Sequence, residues 1–265
     1  MKINTRLLFK FLLRRCQIDC LFDIGSCDGF ESSLFRQILP AARVVAFEAN
    51  PVLYKKMAAN QALIDSKIEV LPYAISNQNG TAHFHVPDLD YDAKDVQNPG
   101  TGSLLVHEGL KIRETVEVPT RRIDDFLREH CPGARNVALW IDAEGFEYFI
   151  LEGMSGIKDR VLAVHVETAR KPMRVGQKVY ADVETLMKTM GFVPVGTDMA
   201  DASVWGDVVF VSEKTLAGLG VRYRLCLTAG WLSYWCRAHW IGGVLRKHCH
   251  PLYRLLSRIY LKLFT

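Results

Sequence analysis

Short apolar segments alternate with amphipathic ones along the first 212 residues of the chain. Residues 20–24, 43–48 and 136–142 are mostly apolar, as in strands buried on both faces, whereas residues 30–39 and 51–64 have helical periodicity. Strands that alternate with helices favour an α/β fold with a doubly wound, mostly parallel, Rossmann-like sheet. The pattern predicts strands near 20–24, 43–48, 68–71, 81–86, 115–119, 136–142, 161–167, 192–195 and 207–211, and helices near 3–17, 30–39, 51–64, 122–130, 143–154 and 181–190.

A polar, turn-rich stretch over residues 87–112 interrupts this alternation. Its centre is the sequence Pro99-Gly100-Thr101-Gly102-Ser103. Loops of this length inside a compact domain usually serve a function or move. We therefore expect this loop to close over a bound substrate and exclude water.

The composition is that of an ordinary globular protein, and 265 residues suffice for one domain with appendages. The seven cysteines are odd in number and form no CxxC pair, which argues against a zinc knuckle or a disulfide framework and favours a reducing cytoplasm. Residues 1–17 are basic and apolar, but no small-residue cleavage site follows them. Neither a signal peptide nor, for lack of a long uninterrupted apolar stretch, a membrane span is expected.

Basic residues are concentrated at the end of the chain. Nine of the 33 Lys and Arg residues lie from Lys214 onward, where there is no Asp or Glu, and the rest of the chain has an excess of acids. We predict three regions: an amphipathic helix in residues 1–18, a catalytic domain in residues 19–214, and a basic, aromatic-rich helical extension in residues 215–265.

The extension in residues 215–265 combines Trp and Tyr with Arg and Lys, which suits the headgroup region of an anionic membrane. This composition predicts a cytoplasmic protein that associates peripherally with the inner membrane face. The alternatives are a helical cap on the domain or a dimer interface. Nucleic acid is a less favoured partner, because the basic residues are interspersed with a large apolar content.

The first predicted strand leads into the turn Asp23-Ile24-Gly25-Ser26-Cys27-Asp28-Gly29. Its glycines lack the G-x-G-x-x-G spacing that cradles a pyrophosphate. Asp23 and Asp28 instead suit a cationic ligand such as S-adenosylmethionine, and Glu48 follows the second strand, where an acid accepts hydrogen bonds from a ribose. An alternative interpretation is that Gly25 and Gly29 only permit tight packing of a strand against a helix.

A second acidic cluster follows the fourth predicted core strand, in Trp140-Ile141-Asp142-Ala143-Glu144-Gly145-Phe146-Glu147. In open α/β sheets, ligands bind outside the carboxyl ends of the strands. Asp142 and Glu144 are therefore expected to meet the cofactor and the acceptor, and Gly145 to allow close approach. An alternative interpretation is that Glu144 and Glu147 are first-turn acids favoured by a helix dipole, which explains Glu147 as well as a functional role does.

His165 and Glu167 lie two residues apart near the end of the next strand and so share one face. A histidine here suits a general base, although lone histidines are more often structural. Asp142, Glu144, His165 and Glu167 also offer oxygen and nitrogen ligands for a divalent metal. Their spacing does not require one, and no metal is predicted.

Several of these motifs together resemble the FkbM-type methyltransferases, a branch of the class I S-adenosylmethionine-dependent enzymes. The matching segments are the turn at 23–29, Phe47-Glu48-Ala49-Asn50-Pro51, Ala74-Ile75-Ser76 with Gly80, Gly102-Ser103-Leu104, and residues 141–147. They extend over about residues 19–212 in order and at compatible spacing. One departure is Cys27, where the family more often has Asn.

This resemblance implies a seven-stranded sheet with an antiparallel last strand, S-adenosylmethionine as methyl donor, and transfer to a hydroxyl of a glycan, lipid-linked sugar or natural product. A hydroxyl must lose its proton during methyl transfer, so a nearby base is expected, and Glu144 or His165 is the predicted one. Asp142 is the third residue predicted to be catalytic. Methylation of nitrogen, or a catalytically silent scaffold with the same fold, are the alternatives. The residues expected around the cofactor are Asp23, Gly25, Ser26, Asp28, Gly29, Glu48, Ser76 and Asp142.

Overall fold

The computed structural model describes residues 4–90, 99–199 and 203–219. The strands of this part of the chain are β1 (Cys20–Ile24), β2 (Arg43–Phe47), β3 (Glu69–Leu71), β4 (Ala74–Ser76), β5 (Gly80–Pro87), β6 (Ile112–Arg122), β7 (Val137–Ile141), β8 (Val161–Ala169), β9 (Phe192–Thr197) and β10 (Trp205–Ser212). Seven of them form one sheet in the order β3-β2-β1-β7-β8-β10-β9. Only β10 runs antiparallel to its neighbours, so the predicted doubly wound sheet with an antiparallel last strand is confirmed.

Helices cover both faces of this sheet. They are α1 (Thr5–Arg15), α2 (Phe30–Ile38), α3 (Pro51–Ala58), α4 (Gln61–Asp65), α5 (Ile123–His130), α6 (Glu147–Glu152), α7 (Tyr180–Thr189) and α8 (Glu213–Gly218), with a 3₁₀ helix at Ser155–Arg160. One apolar core lies under α1 and α2, and the other lies under α5, α6 and α7. Strands β1 and β7 are buried at every position because both of their faces are covered, as their apolar sequences predict.

The N-terminal helix is part of the sheet domain. Leu8, Phe9, Leu12 and Leu13 of α1 are each no more than 1% exposed and pack in the same core as β1 and β8. Asn4 caps this helix by accepting a hydrogen bond from the amide of Leu7. The predicted boundary at residue 18 therefore does not separate two packing units.

A second, three-stranded sheet in the order β4-β6-β5 was not predicted as a unit. The expected strands at 81–86 and 115–119 pair with each other as β5 and β6, and the short strand β4 joins β6 in parallel. This sheet lies beside the carboxyl ends of β1 and β2, because Phe84 of β5 and Ala74 of β4 line the same pocket as Glu48.

Two predicted helices differ from the observed ones for local reasons. The helix expected over 51–64 divides at Asn60, whose side chain accepts a hydrogen bond from the amide of Ala62 and starts α4. The helix expected from residue 143 begins only at Glu147, because residues 144 and 145 have positive φ angles that a helix does not allow.

The predicted basic extension lies outside the described residues from position 220 onward. Residues 213–218 at its start form α8, whose first amides are capped by Ser212. Within the described part of the chain, no helix has the length and apolar character needed to cross a membrane.

Candidate active site

The carboxyl ends of four parallel strands meet at one edge of the large sheet. Ile24, the last residue of β1, is paired with Phe47 of β2 on one side and with Ile141 of β7 on the other. β8 continues the sheet beyond β7. The residues that follow these strands are therefore brought together although they lie more than 100 positions apart in the sequence.

Asp23 organises the turn after β1 from within. Its side chain is buried, and Oδ2 accepts hydrogen bonds from Ser26 Oγ at 2.7 Å and Ser32 Oγ at 2.6 Å. Burial raises the pKa of Asp23 to about 6, and the two hydroxyls partly oppose this rise. Asp23 and Ser26 thus hold the turn together and line neither pocket described below.

Asp28 and Gly29 also serve the turn itself. Asp28 Oδ1 accepts a hydrogen bond from the amide of Phe30 at 2.9 Å, and Gly29 precedes α2, where an added Cβ would lie 2.7 Å from Leu63 Cδ1. Neither Asp23 nor Asp28 lines the two pockets described below, so a role of these carboxylates at a cofactor stays a prediction.

Gly25 is required by the close approach of β1 to β7. It has a φ of 80°, and a Cβ at this position would lie 1.8 Å from the backbone oxygen of Asp142. The backbone of the turn therefore lies directly against the residue that follows β7. This close contact is with the backbone after β7 rather than with a helix, and Gly25 also lines both pockets, so it does more than permit packing of a strand against a helix.

Glu48 follows β2 and faces the turn after β1. Its Oε2 accepts a hydrogen bond from the amide of Cys27 and its Oε1 one from the amide of Asn50, both at 2.7 Å. Burial raises the pKa of Glu48 to about 7, against the effect of these two donors. The carboxylate is thus fixed in direction and close to its ionisation point at neutral pH.

A pocket with a cavity volume of about 50 Å³ opens between the two sheets. Among the eight residues predicted around a cofactor, Gly25, Glu48 and Asp142 line it. Ser76 does not, because it is buried against α6, although the neighbouring Ala74 and Ile75 do line it. Apolar side chains form most of the remaining wall: Ile24, Phe47, Tyr73, Phe84, Leu104, Phe146 and Ile150. We call this space the cofactor pocket.

The turn after β7 has an unusual backbone. Glu144 has a φ of 53° and Gly145 a φ of 98°, so two successive residues adopt left-handed conformations. Glu147 fixes this turn, because its Oε1 accepts hydrogen bonds from the amides of Ala143 and Gly145 at 3.1 and 2.8 Å. Burial raises the pKa of Glu147 to about 7. Ser103 Oγ donates to the backbone oxygen of Glu144 and joins the loop to this turn.

Arg174 is the partner of Glu144. This arginine is 7% exposed and lies in the segment between β8 and α7, and its guanidinium forms an ion pair with the Glu144 carboxylate. An added Cβ at Gly145 would lie 3.1 Å from Arg174 Cδ and 3.2 Å from Gln177 Cδ. The close approach predicted at Gly145 is therefore made by side chains of the 170–179 segment.

A larger cleft with a cavity volume of about 510 Å³ adjoins the cofactor pocket. Both spaces are lined by Gly25, Cys27, Gly100 and Asp142, so they meet at these residues. Pro99, Thr101, His107 and Leu110 of the predicted functional loop also line this cleft, while residues 91–98 of that loop lie outside the described residues. We call this space the acceptor cleft.

Carboxyl groups are concentrated on the floor of the acceptor cleft. Desolvation and repulsion by Asp142 and Glu144 raise the pKa of Glu167 to about 9. Burial, which removes water from the carboxylate, raises the pKa of Asp142 well above its usual range, and the charges of Glu144 and Glu147 raise it further. Asp142 nevertheless keeps an exposed face in the cleft.

Three of the four residues considered as metal ligands come together. Oxygen atoms of Asp142, Glu144 and Glu167 lie within 4.8 Å of one another. His165 is not among them, and the guanidinium of Arg174 already contacts Glu144. The cluster thus contains a positive charge supplied by the chain itself.

His165 is separated from this cluster. It is 1% exposed and stacks on Trp140, with ring centroids 3.5 Å apart, beneath Phe9 of α1. Burial lowers its pKa well below the ordinary value, so the ring is neutral and its 3.8 Å approach to Asp207 is not an ion pair. His165 lines neither the cofactor pocket nor the acceptor cleft, which corrects its prediction as a general base.

A family model described as the methyltransferase FkbM domain matches residues 23–194. The chain belongs to the FkbM methyltransferase family. The resemblance found in the motifs is thereby confirmed, and the protein is a methyltransferase.

The individual relatives are similar to this chain at low sequence identity. The chain is 27% identical over 200 residues to 2-O-methyltransferase NoeI of Sinorhizobium fredii. This match covers 73% of this chain and 79% of the relative. It is 28% identical over 163 residues to methyltransferase sdnD of Sordaria araneosa, covering 51% of this chain and 60% of that protein. A crystal structure of methyltransferase FkbM from Methylobacillus flagellatus matches with a TM-score of 0.42 and 12% identity, over 74% of this chain and 44% of that one.

Proposed function

We propose that this methyltransferase transfers the methyl group of S-adenosylmethionine to a hydroxyl group of a glycan, a lipid-linked sugar or a natural product. The observation that carries the proposal is the junction of two spaces at Gly25, Cys27, Gly100 and Asp142. One space has the lining expected for a nucleoside, and the other is open and lined by carboxyl groups. Similarity to a relative named as a 2-O-methyltransferase supports oxygen as the acceptor atom.

The cofactor pocket suits S-adenosylmethionine in its chemistry. The Glu48 carboxylate is held at the end of β2, where it can accept hydrogen bonds from ribose hydroxyls, and the aromatic and aliphatic wall suits an adenine ring. When bound, the sulfonium supplies an already activated methyl group, so the chain must chiefly position the acceptor.

Asp142 is the best placed base for the proton of the hydroxyl. Among the described residues that line both spaces, it is the one that bears a carboxyl group, and its raised pKa gives the carboxylate a high proton affinity. Glu144 was the base expected from the sequence, but its carboxylate is paired with Arg174. We therefore assign proton removal to Asp142 and positioning of the acceptor to the Glu144–Arg174 pair.

The proposal is tested by calorimetric titration with S-adenosylmethionine and S-adenosylhomocysteine. We expect both to bind to the full chain, and Glu48→Gln to weaken both by about tenfold or more, since hydrogen bonds to a carboxylate contribute about 1.5–3 kcal/mol. Glu117→Gln, at an exposed position of β6, is the control. Absence of binding, or equal binding by the Glu48 variant, would contradict the assignment.

Transfer to oxygen is tested separately, by incubating the enzyme with radiolabelled S-adenosylmethionine and a panel of glycans, glycolipids and polyhydroxylated natural products. A labelled product whose methyl group is stable to mild base and resides on oxygen by NMR supports the proposal. Labelling only of amines would establish the alternative of nitrogen methylation.

For residues 215–265 we propose peripheral attachment to an anionic membrane, supported by their basic and aromatic composition alone. Flotation of the full chain and of a variant lacking these residues, on phosphatidylglycerol and phosphatidylcholine vesicles, tests this. We expect the full chain to float with the anionic vesicles and the shortened chain to remain in solution. Equal flotation of both proteins would overturn the proposal.

A further inference from the structure

Exposed apolar side chains are concentrated around the acceptor cleft. Within residues 4–90, 99–199 and 203–219, eight large apolar side chains are exposed: Leu7, Phe30, Ile64, Val106, Met173, Val175, Val204 and Trp205. The last five belong to three segments that meet at the cleft. We call these five residues, Val106, Met173, Val175, Val204 and Trp205, the apolar rim.

Backbone contacts connect the three segments of the apolar rim. The amide of Val175 donates to the backbone oxygen of Val106 at 2.9 Å, which joins the loop to the 170–179 segment. The amide of Arg170 donates to the backbone oxygen of Val204 at 2.6 Å, and Trp205 pairs with Ala169 at the end of β8. The three segments that carry the rim residues are therefore joined to one another beside the cleft.

The apolar rim is continuous with the interior of the cleft. Met173 and Trp205 themselves line the acceptor cleft, together with Ala169 and Leu110. Trp205 is 57% exposed and Val175 56% exposed. Single exposed apolar residues are ordinary, but a contiguous exposed patch beside a pocket commonly marks a binding surface.

The floor of the cleft has the opposite character. Asp142, Glu144 and Glu167 bring carboxyl oxygens within 4.8 Å of one another, which suits a hydroxyl-rich group that donates hydrogen bonds. A wholly polar acceptor would leave the apolar rim uncovered. A molecule with a polar end and an aliphatic portion would satisfy the floor and the rim together.

We infer that the acceptor is an amphiphile, whose hydroxyl-bearing part enters the acceptor cleft while its aliphatic chain covers the apolar rim. This inference rests on the proposed function and narrows its acceptor class. Met173 and Trp205 determine the preference for an aliphatic chain, because they lie where the rim meets the cleft. Neither residue lines the cofactor pocket, so binding of the methyl donor is independent of them.

Two soluble probes that differ only in the aliphatic chain test the inference. Binding of methyl β-D-glucoside and of octyl β-D-glucoside below its micelle-forming concentration is measured by NMR saturation transfer on the full chain with S-adenosylhomocysteine present. We expect the octyl glucoside to bind at least tenfold more tightly, since burial of about two methylene groups suffices for that difference. The Met173→Ser/Trp205→Ser variant is expected to lose this preference, and Ile64→Ser, at a similarly exposed position on α4, to keep it.

Equal binding of the two glucosides by the native chain, including undetectable binding of both, would overturn the inference. So would retention of the octyl preference in the Met173→Ser/Trp205→Ser variant, since the chain would then bind elsewhere. If this variant instead floats less with phosphatidylcholine vesicles while its glucoside binding is unchanged, the rim meets a membrane and the acceptor assignment fails.

Calorimetry with S-adenosylhomocysteine separates this inference from the proposed function. The rim variant is expected to bind the nucleoside with native affinity, which also shows that it is folded. Loss of the octyl preference with intact nucleoside binding supports the inference. Failure of the native chain to bind the nucleoside would reject the proposed function without involving the rim.

Discussion

The turns after β1 and β7 lie against each other at one edge of the sheet. Both are rich in acidic residues, but the partners of these residues differ between the two turns. In the first turn, Asp23 accepts hydrogen bonds from two serine hydroxyls, and Asp28 accepts one from a backbone amide. In the second, Asp142 and Glu144 converge with Glu167, and an arginine pairs with one of them. Asp23 and Asp28 thus accept hydrogen bonds from within their own turn and helix, whereas the crowded acids at the second turn border an open cleft and are available to a substrate.

The largest effect is expected from Asp142, at the junction of the two spaces. We expect Asp142→Asn to lower kcat by about 10²- to 10³-fold, because the amide cannot accept the proton of the hydroxyl. Steady-state kinetics with an acceptor from the panel described above measure this, with Asp159→Asn, an exposed residue of the 3₁₀ helix, as the control. An unchanged kcat would show that the second turn does not carry the base.

Ionisation of Glu147, in the second turn, is expected to make the free energy of unfolding depend on pH. Its pKa is about 7 in the folded state against 4.5 as its ordinary value. The stabilisation that goes with the protonated form is complete below about pH 4.5 and is lost as the pH rises through about 7. As the pH rises between these limits, we expect the free energy of unfolding of the Glu147→Gln variant to increase by about 3 kcal/mol relative to that of the native chain. Urea unfolding at each pH measures this difference.

The control for this measurement is Glu108→Gln, at an exposed position of the loop. Its unfolding free energy is expected to follow the native pH curve. If the Glu147→Gln curve is also parallel to the native one, the ionisation of Glu147 is not coupled to folding and this part of the account fails.

Asp23 tests the structural role of the first turn. Asp23→Ala leaves the hydroxyls of Ser26 and Ser32 without their acceptor in a buried site, and we expect a loss of about 2–3 kcal/mol in the free energy of unfolding. Asp28→Ala, which removes an exposed capping hydrogen bond, is expected to cost about 1 kcal/mol or less. Equal losses in the two variants would remove the distinction between the buried and the exposed acid.

The smallest effect is expected at Cys27, which has a φ of 57° in the first turn. Asn tolerates this left-handed conformation better than Cys, so Cys27→Asn is expected to stabilise the fold by about 0.5–1 kcal/mol. Cys27→Ala removes the thiol without this backbone preference and serves as the reference. A gain in the Ala variant equal to that in the Asn variant would show that the backbone is not the cause.

Much of the fold follows from local sequence patterns. The buried strands β1, β2 and β7 were predictable because covering both faces of a sheet demands continuous apolar runs. The small sheet was not predicted as a unit, since β4 has three residues and gains its stability from pairing with β6, which no local pattern encodes. Gly25, Glu48 and Asp142, which the sequence predicted around a cofactor, all line one pocket because each immediately follows a core strand.

The errors at the site have a common physical origin. Alternation places His165 and Glu167 on one face of β8 but does not reveal that α1 covers that face at His165. Arg174 was missed because it lies in an irregular segment, and the sequence carries no signal that Gly145 would receive its side chain. Asp23 and Ser76 have the residue types of a cofactor site, yet tertiary contacts use both in packing.

In the arrangement proposed here, Glu48 binds the ribose hydroxyls of the methyl donor and Asp142 lies beside its sulfur, at one edge of the sheet. A crystal structure of the full chain with S-adenosylhomocysteine tests it most directly. The account predicts the ribose hydroxyls within hydrogen-bonding distance of the Glu48 carboxylate and the sulfur beside Asp142, facing the acceptor cleft. A nucleoside bound elsewhere, with Glu48 contacting only the amides of Cys27 and Asn50, would contradict it.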